Sequence, residues 1–414
     1  MSDLFTELQW RGFVHHATQG IETHLSGGSR LVYCGFDPTA PSLQLGNLMP
    51  IMLLRHFQLA GHRPIVLMGG GTGLIGDPSG KRNERPLLAK EQIREHLHHQ
   101  RDQMARLLDF DGPAQALVLN NADWLVKQSL VDFLRDIGKH FSVNIMLQKE
   151  SVKARLDTGI SYTEFSYMLL QAYDFLHLFR ERHCTLQVGG SDQWGNITAG
   201  IDLIRRVAGG EAHGVVAPLV TMASGAKFGK TEAGAIYLDP ALTSPYKFYQ
   251  FWYNVDDRDV ESYLKLFTLL PRADIERQMR AHVQDPSHRE AQAKLATEVT
   301  TMVHGKQALA GVLEASATLF ADVAVDTNKL DALEEHAPTT KVSVKPETVV
   351  DALMASRLAK SKSDARRLIK QGGVYVNDRR VTDVDQKVRP DDWRGTKLVL
   401  RKGKKDYHLL SVDG

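Results

Sequence analysis

Two stretches that lie far apart in the chain contain residues suited to binding a polyphosphate. In the first, the apolar run at residues 31–36 predicts a buried strand, two prolines predict a turn, and an apolar helix opens at Leu48. Such a junction directs free backbone N–H groups and the positive end of the helix at one point, and Gly46 lets a ligand approach the backbone. In the second, Lys227 and Lys230 flank a glycine in a loop after an apolar run. An ordinary strand–helix connection is the alternative for the first stretch taken alone.

A further set of polar side chains is predicted to share one face of a helix. Ser161, with a glutamate three residues later, forms a capping box that starts this helix. Tyr167, Gln171 and Asp174 then follow at i, i+4 and i+7, so they lie on one side of it. The helix precedes a predicted strand and the glycine-rich turn at residues 189–193. Because open parallel sheets bind nucleotides at their strand ends, a recessed polar pocket is one interpretation, and an outward polar face is the other.

The segment 69–80 contains the spacing G-x-G-x-x-G that is typical of dinucleotide-binding folds. Its three glycines are Gly71, Gly73 and Gly76. In that fingerprint the glycines open a helix at once, whereas here Asp77-Pro78-Ser79-Gly80 interrupts the chain. An NAD-dependent enzyme is therefore an alternative that the local sequence disfavours. Three basic residues follow the segment and suit a polyphosphate, namely Lys81, Arg82 and Arg85, and a solvated basic run is the alternative.

The composition is that of an ordinary globular protein with room for two or three domains. The 414 residues are 43% hydrophobic and 24% charged. No apolar run reaches the roughly 18 residues of a membrane span, and the first residues do not form a basic region followed by an apolar core. We therefore expect a cytosolic protein that does not bind membranes. Two cysteines, Cys34 and Cys184, are too few for a disulfide framework or a zinc set, so we expect reduced thiols and predict no metal site.

Charge is distributed unevenly along the chain. Residues 347–414 contain 16 lysines and arginines against 10 aspartates and glutamates, a net charge of +6, whereas the whole chain carries +2. Here Ser361 caps a short helix that short strands follow. The basic residues of this helix are Lys362, Arg366, Arg367 and Lys370. They predict a contact with nucleic-acid phosphates, and a solvated basic face is the alternative.

These observations predict an α/β protein with several domains. A Rossmann-like, parallel-sheet nucleotide-binding domain is expected at residues 1–239, with a helical insertion at about 86–158. A helical domain is expected at 240–323, a linker at 324–346, and a small α+β domain at 347–414. No Ser/His/Asp or Cys/His set is arranged as an activated nucleophile, so the predicted chemistry is the positioning of substrates that react with each other.

Four short motifs resemble those of class I aminoacyl-tRNA synthetases, and specifically those of the bacterial tyrosyl-tRNA synthetase family. In chain order they are Tyr33-x-Gly35-x-Asp37-Pro38-Thr39, Gly76-Asp77-Pro78-Ser79-Gly80, Gly189-Gly190-Ser191-Asp192-Gln193-Trp194-Gly195-Asn196 and Lys227-Phe228-Gly229-Lys230-Thr231. The resemblance covers nearly the whole chain. It implies activation of tyrosine by ATP, transfer to tRNA, a homodimer formed through the helical insertion, and an S4-like RNA-binding module at residues 347–414. One position departs from the family, because its first signature begins with a histidine and Gln44 stands here.

The same resemblance implies a role for each matching residue. Around tyrosine would lie Tyr33 and Asp174 at the phenolic hydroxyl, Tyr167, Gln171 and Asp77 at the ammonium group, Gln193 near the carboxylate and Gln187 behind it. Around ATP would lie Gly35, Asp37, Gly46, Asn47, Gly189, Gly190 and Asp192. Around the leaving pyrophosphate, with Mg²⁺ as its counter-ion, would lie Thr39, Gln44, Lys81, Arg85, Lys227, Lys230 and Thr231.

Two alternatives within this resemblance stay open. The first is an RNA-binding protein that keeps the fold without the chemistry, and the charged residues Asp77, Asp192 and Lys230 argue against it. The second is a tryptophan-activating relative, which conflicts with the hydroxyl-binding pair Tyr33 and Asp174.

Overall fold

The computed structural model describes residues 3–79, 88–156, 159–231, 234–319, 338–377, 379–403 and 406–412. The chain forms two compact units. The first contains Met1–Asp239 and Val255–Ala291, and the second contains Pro240–Asn254 and Gln292–Gly414. No helix in the described part of the chain is both long and apolar enough to cross a bilayer.

A six-stranded sheet forms the centre of the first unit. Its strands are β1 (His16–Ala17), β2 (Leu31–Phe36), β3 (Arg63–Met68), β4 (Leu117–Asn120), β5 (Leu186–Gly190) and β6 (His213–Ala217), in the spatial order β1-β6-β5-β2-β3-β4. All neighbours are parallel except β1, which pairs with β6 in the antiparallel direction. The chain adds β3 and β4 on one side of β2 and then β5 and β6 on the other. The topological switch point therefore lies between β2 and β5, where open α/β sheets bind their ligands.

Helices and one hairpin complete the first unit. The helices are α1 (Leu4–Arg11), α2 (Ile21–Ser26), α3 (Leu45–Leu59), α4 (Lys90–Met104), α5 (Ala122–Leu125), α6 (Leu130–Asp136), α7 (Val143–Leu147), α8 (Glu150–Leu156), α9 (Tyr162–Arg182), α10 (Trp194–Ala208), α12 (Asp257–Phe267) and α13 (Arg272–Gln284), and the hairpin consists of β7 (Lys230–Thr231) and β8 (Gly234–Ala235). The cap predicted for α9 is confirmed, since Ser161 accepts a hydrogen bond from the Glu164 N–H. Helix α9 packs on α10 because Gly200 leaves room for the ring of Phe175.

One feature of the first unit differs from the sequence prediction. Strand β4 lies within the predicted helical insertion, as a half-buried edge strand of only four residues. The short helix α5 follows it. After β3, the glycine-rich segment forms a single 3-10 turn, Thr72–Leu74, instead of the helix that a dinucleotide fingerprint requires.

The second unit contains helices and a separate five-stranded sheet. The helices are α11 (Pro245–Tyr253), most of α14 (Glu290–Leu319, interrupted at Gly305), α15 (Val349–Ala355) and α16 (Lys362–Lys370). The strands are β9 (Thr339–Val342), β10 (Val374–Val376), β11 (Arg379–Arg380), β12 (Lys397–Lys402) and β13 (Asp406–Val412), in the order β11-β10-β12-β13-β9. Residues of α15, α16 and the strands share one apolar core. Strand β9 lies in the segment that was predicted to be a linker, and it pairs with β13 in parallel.

Candidate functional site

A cavity of about 640 Å³ opens at the carboxyl ends of β2 and β5, at the switch point of the sheet. Its walls come from β2 and the turn after it, the first turn of α3, residues 69–79, α9, β5 and the loop at residues 218–228. Asn121, which follows β4, also lines it. The fold thus brings side chains from six distant parts of the sequence around one space.

Tyr33 and Asp174 line the cavity from strand β2 and helix α9. The Tyr33 side chain is 1% exposed and packs edge-on against Phe175, with ring centroids 5.1 Å apart. Its hydroxyl is buried and has no hydrogen-bond partner among the residues that the structure describes. Because a buried hydroxyl without a partner costs free energy, this oxygen is suited to a polar group of a bound ligand.

Two side chains that follow β4 orient the Asp174 carboxylate. The Nε1 atom of Trp124 donates to one carboxylate oxygen over 2.7 Å, and the Nδ2 atom of Asn121 donates to the other over 2.9 Å. The indole of Trp124 is itself held by stacking on His177, with ring centroids 4.2 Å apart. Burial raises the pKa of Asp174 to about 7, and the hydrogen bonds from Asn121 and Trp124 oppose this rise.

A chain of hydrogen bonds connects the polar residues in the middle of the cavity. Asp77 accepts from Nε2 of Gln193 over 2.6 Å and from the N–H of Ser79 over 2.9 Å. Gln193 in turn accepts from Nε2 of Gln171 over 3.1 Å, and Gln171 accepts from Nδ2 of Asn196 over 2.9 Å. Because each amide is fixed by its neighbours, this network offers a carboxylate and two amides in defined orientations.

A second polar network surrounds Asp37 at the end of β2. The hydroxyl of Tyr167 donates to one oxygen of Asp37 over 2.8 Å, and Thr72 Oγ1 donates to the other over 2.7 Å. A Cβ atom at Gly69 would collide with this carboxylate, so the glycine is required there. Burial raises the pKa of Tyr167, and the charge of Asp37 adds to this effect, so its phenol stays protonated and acts as a donor.

The N-terminus of α3 and the lysine-containing loop meet beside the cavity. Gln44 occupies the N-cap position, and its N–H donates to Oδ1 of Asn47 over 2.9 Å. The Nζ atom of Lys230 lies 3.5 Å from Oε1 of Gln44. Two segments that each suit a phosphate are thus adjacent, and together they offer an ammonium group and a helix N-terminus.

Most residues that the sequence predicted for the site line this cavity. They are Tyr33, Gly35, Asp37, Thr39, Gly46, Asn47, Asp77, Tyr167, Gln171, Asp174, Gln187, Gly189, Gly190, Asp192, Gln193 and Lys227. Gln44 and Lys230 contact each other next to it. Lys81 and Arg85 lie outside the described residues, and only the backbone of Thr231 is described, in β7.

Four further residues of the site were not predicted from the sequence, namely Thr72, Asn121, Trp124 and Asn196. Asn196 closes the motif Gly189–Asn196 and lies three residues after Gln193, so helical spacing could have indicated it. Asn121 and Trp124 follow β4. Their position after a strand of the central sheet would have indicated them, but the sequence analysis did not recognise that strand.

The predicted basic helix is α16 in the second unit. Its side chains Lys362, Arg366, Arg367 and Lys370 are all exposed. Ser361 caps the helix by accepting from the Asp364 N–H, as predicted. A shallow surface depression is lined by Ser363, Arg366, Arg367, Lys370 and Gln371. Three cationic side chains therefore surround one concave surface.

Comparison with known proteins finds relatives over the whole chain. The family described as tRNA synthetases class I (W and Y) matches residues 27–321, and the one described as tyrosine--tRNA ligase SYY-like C-terminal domain matches residues 329–410. A tyrosine--tRNA ligase of Roseiflexus castenholzii is 51% identical over 423 residues, which cover 100% of both chains. One of Bacillus velezensis is 48% identical over 420 residues, which cover 99% of this chain and 100% of the relative. Among solved structures, the fold is similar to that of a C-terminally truncated mitochondrial tyrosyl-tRNA synthetase of Aspergillus nidulans, with a TM-score of 0.70. The aligned residues are 30% identical and cover 77% of this chain and 95% of that one.

Proposed function

The chain belongs to the tyrosine--tRNA ligase family of class I aminoacyl-tRNA synthetases, and from this premise we propose how its residues carry out the reaction. The enzyme activates L-tyrosine with ATP to tyrosyl-adenylate and pyrophosphate, and then transfers tyrosine to the 3′ end of a tRNA. The expectations of a class I fold and of this activity are confirmed.

The assignment of the amino-acid pocket rests on the buried hydroxyl of Tyr33, which lines the cavity together with Asp174 and has no hydrogen-bond partner in the described part of the chain. The Tyr33 hydroxyl donates to the phenolic oxygen of tyrosine, and that phenol donates to the Asp174 carboxylate. Phenylalanine gives the Tyr33 hydroxyl no oxygen to bond and offers no donor to Asp174, a discrimination for which tyrosyl-tRNA synthetases are the standard example. Tryptophan is excluded for the same reason, since it has no hydroxyl.

The other polar groups of the cavity hold the two ends of the amino-acid backbone. Asp77, Gln171 and Tyr167 surround the ammonium group, with the charge of Asp77 providing the strongest attraction. Gln193 lies between Asp77 and Gln171 and faces the carboxylate, and Gln187 lies behind it. This arrangement leaves one carboxylate oxygen of the substrate free to attack.

ATP occupies the part of the cavity between β2, the first turn of α3 and β5. Its surroundings are Gly35, Asp37, Gly46, Asn47, Gly189, Gly190 and Asp192. The tyrosine carboxylate oxygen forms a bond to the α-phosphorus while the bond to the bridging oxygen breaks, and that electron pair leaves with pyrophosphate. Charge builds on the leaving group near Thr39, Gln44, Lys227, Lys230 and Thr231. The same role is proposed for Lys81 and Arg85, which lie outside the described residues.

Magnesium enters this scheme as part of the ATP substrate. The carboxylates of Asp37, Asp77 and Asp174 each accept hydrogen bonds from protein donors, so they are engaged in the protein's own networks. Mg²⁺ commonly keeps its waters and binds substrate phosphates with few protein ligands. The phosphate oxygens of ATP would therefore hold the ion, which would stabilise charge on pyrophosphate.

Two partners complete the proposal. Exposed apolar side chains in α6, α7 and their surroundings support a homodimer, and they are Val126, Leu130, Val131, Leu134, Val143 and Ile145. The exposed cations of α16 support a contact between the second unit and tRNA phosphates. We propose a cytoplasmic location because the relatives that match the whole chain are bacterial tyrosine--tRNA ligases.

ATP–pyrophosphate exchange with each of the twenty amino acids tests the assignment of the pocket. Tyrosine should support exchange, and phenylalanine and tryptophan should not. Equal exchange with tyrosine and phenylalanine would contradict the roles of Tyr33 and Asp174.

A further inference from the structure

The loop that contains Lys227 and Lys230 is attached to helix α12, which lies outside the cavity. Asp259, Tyr263 and Phe267 follow each other at i, i+4 and i+8 of this helix, so they form one stripe along it. All three are buried. The stripe faces the segment at residues 221–228, which contains Lys227 and precedes Lys230.

Two members of the stripe hold the backbone of this segment. The carboxylate of Asp259 accepts from the N–H of Ala223 with both oxygens, over 2.9 and 3.1 Å. The hydroxyl of Tyr263 donates to the carbonyl oxygen of Thr221 over 3.1 Å. Side chains from two successive turns of α12 bind neighbouring peptide groups. They therefore fix the direction of the segment's backbone relative to the helix.

An aromatic contact holds the loop itself. Phe228, which lies between Lys227 and Gly229, stacks on Phe267 with ring centroids 5.1 Å apart and planes at 7°, and meets Tyr263 edge-on at 5.3 Å. Its side chain is 8% exposed. The position of Phe228 therefore fixes the backbone from which the neighbouring lysine projects.

The other side of the loop is attached to the start of α3 by backbone groups. The N–H of Leu45 donates to the carbonyl of Ile236 over 3.0 Å, and the N–H of Leu238 donates to the carbonyl of Leu43 over 2.9 Å. These backbone bonds do not depend on the side chains of Leu45, Ile236, Leu43 or Leu238. The contacts on the α12 side, by contrast, require the side chains of Asp259, Tyr263 and Phe267.

We propose that Asp259, Tyr263 and Phe267 are positioning residues for tyrosyl-adenylate formation, which hold the loop so that Lys227 and Lys230 face the N-terminus of α3. The inference rests on the proposed role of these lysines at the leaving pyrophosphate. Since that role is exerted as charge builds on the leaving group, loss of the stripe should lower the rate of the chemical step and leave tyrosine binding unchanged.

Single-turnover formation of tyrosyl-adenylate tests this in the full-length protein. Asp259→Asn should slow the step about tenfold and Tyr263→Phe about two- to tenfold, with the Kd for tyrosine unchanged. The matched control is Asp257→Asn on the same helix, whose carboxylate lies 3.4 Å from Nε2 of His282, and it should keep the wild-type rate. An equal loss in the control, or rates unchanged in both stripe variants, would overturn the proposal.

A double-mutant cycle separates positioning from general damage to the fold. If the stripe acts through the two lysines, then Asp259→Asn should cost little in a background that carries both Lys227→Ala and Lys230→Ala. The same tenfold loss in both backgrounds would show that Asp259 does not act through these lysines and would overturn the inference.

Limited digestion with trypsin gives a readout that does not depend on activity. Trypsin cleaves after Lys227 and Lys230, so release of the loop should raise the cleavage rate at these lysines in Asp259→Asn and Phe267→Leu, but not in Asp257→Asn. Unchanged cleavage in all variants would overturn the proposal. Failure of the wild type to form adenylate from tyrosine would instead contradict the proposed function, and the trypsin result would still decide how the loop is held.

Discussion

The ammonium nitrogen of Lys230 lies 3.5 Å from the side-chain oxygen of Gln44, although 186 positions separate the two residues in the sequence. Gln44 thus contacts the lysine-containing loop and is not simply a solvated side chain. Its side-chain carbonyl oxygen faces the lysine, so in the proposed mechanism its amide NH₂ is the group that donates to a phosphate.

Gln44→His should speed adenylate formation about tenfold, and Gln44→Ala should slow it. A neutral donor contributes roughly 0.5–1.5 kcal/mol and a charge-assisted one roughly 1.5–3 kcal/mol, and about 1.4 kcal/mol corresponds to tenfold. Pre-steady-state formation of adenylate by the wild type and both variants measures this. Equal rates in all three would show that Thr39 and the lysines suffice, and a wild type without a burst would indicate that loss of the histidine has abolished catalysis.

Lys230→Ala should lower the rate of adenylate formation about 100-fold or more while the Kd for tyrosine stays within about twofold. Removal of a preorganised donor from the leaving group costs this much in comparable sites. Single-turnover rates and equilibrium binding separate the two effects. Lys306→Ala on α14, an exposed lysine of the second unit, is the control, and a matching loss there would mean that Lys230 has no specific role.

Tyr33→Phe should lower kcat/KM for tyrosine about two- to tenfold without lowering the value for phenylalanine. One neutral hydrogen bond is lost, and the free protein no longer carries a buried hydroxyl without a partner. Amino-acid-dependent pyrophosphate exchange measures the two values. The control is Tyr162→Phe, which removes a hydroxyl from an exposed position of α9. An unchanged ratio of tyrosine to phenylalanine in Tyr33→Phe would exclude this residue from the binding of the hydroxyl.

The affinity for tyrosine should fall several-fold as the pH drops from 8 to 6. The pKa of Asp174 is about 7, raised by burial, so its carboxylate takes up a proton in this range. The ionised form accepts the stronger, charge-assisted hydrogen bond from the phenol, and that bond is lost on protonation. Equilibrium dialysis across this range measures the effect. Tyr33→Phe should keep the same pH dependence, because Tyr33 does not titrate there, and a Kd independent of pH in the wild type would rule out Asp174 as the acceptor.

Replacement of Arg366, Arg367 and Lys370 together by alanine should weaken tRNA binding and charging while pyrophosphate exchange stays unchanged. Binding should also become less sensitive to salt. For each lost phosphate contact, the slope of the logarithm of the binding constant against the logarithm of the salt concentration should decrease in magnitude by about one. Binding of tRNA at several salt concentrations measures both quantities. The same replacement at the exposed Arg272, Arg277 and Arg280 of α13 is the control. If both triple variants bind tRNA equally well, α16 is not the contact.

Much of the cavity could be predicted from the sequence because its residues stand in short motifs at the ends of elements with clear patterns. Tyr33 lies within an apolar strand and Asp37 directly follows it, and Tyr167, Gln171 and Asp174 repeat with helical spacing. The sequence analysis missed site residues that follow elements without a clear pattern of apolar and polar residues. Strand β4 is four residues long and half-buried, so its sequence does not stand out from the surrounding helices, and Asn121 and Trp124 were lost with it.

The stripe on α12 was missed for a different reason. Asp259, Tyr263 and Phe267 follow the ordinary spacing of a buried helix face, and nothing local indicates that their partner is a loop more than thirty residues earlier in the chain. Strand β9 could not be predicted for the same reason. The sequence Thr339–Val342 does not by itself indicate a strand, and it forms one by pairing with β13.

The pairing of β9 with β13 bears on any attempt to isolate the C-terminal module. A fragment that begins at residue 347, where the sequence alone would place the boundary, lacks β9 and leaves the backbone groups of Leu409 to Val412 without the partners that Thr339 to Val342 provide. An open strand edge beside a buried apolar row is a template for strand addition by another chain. Such a fragment should self-associate or precipitate for reasons unrelated to RNA, whereas one that begins before Pro338 keeps β13 paired with β9.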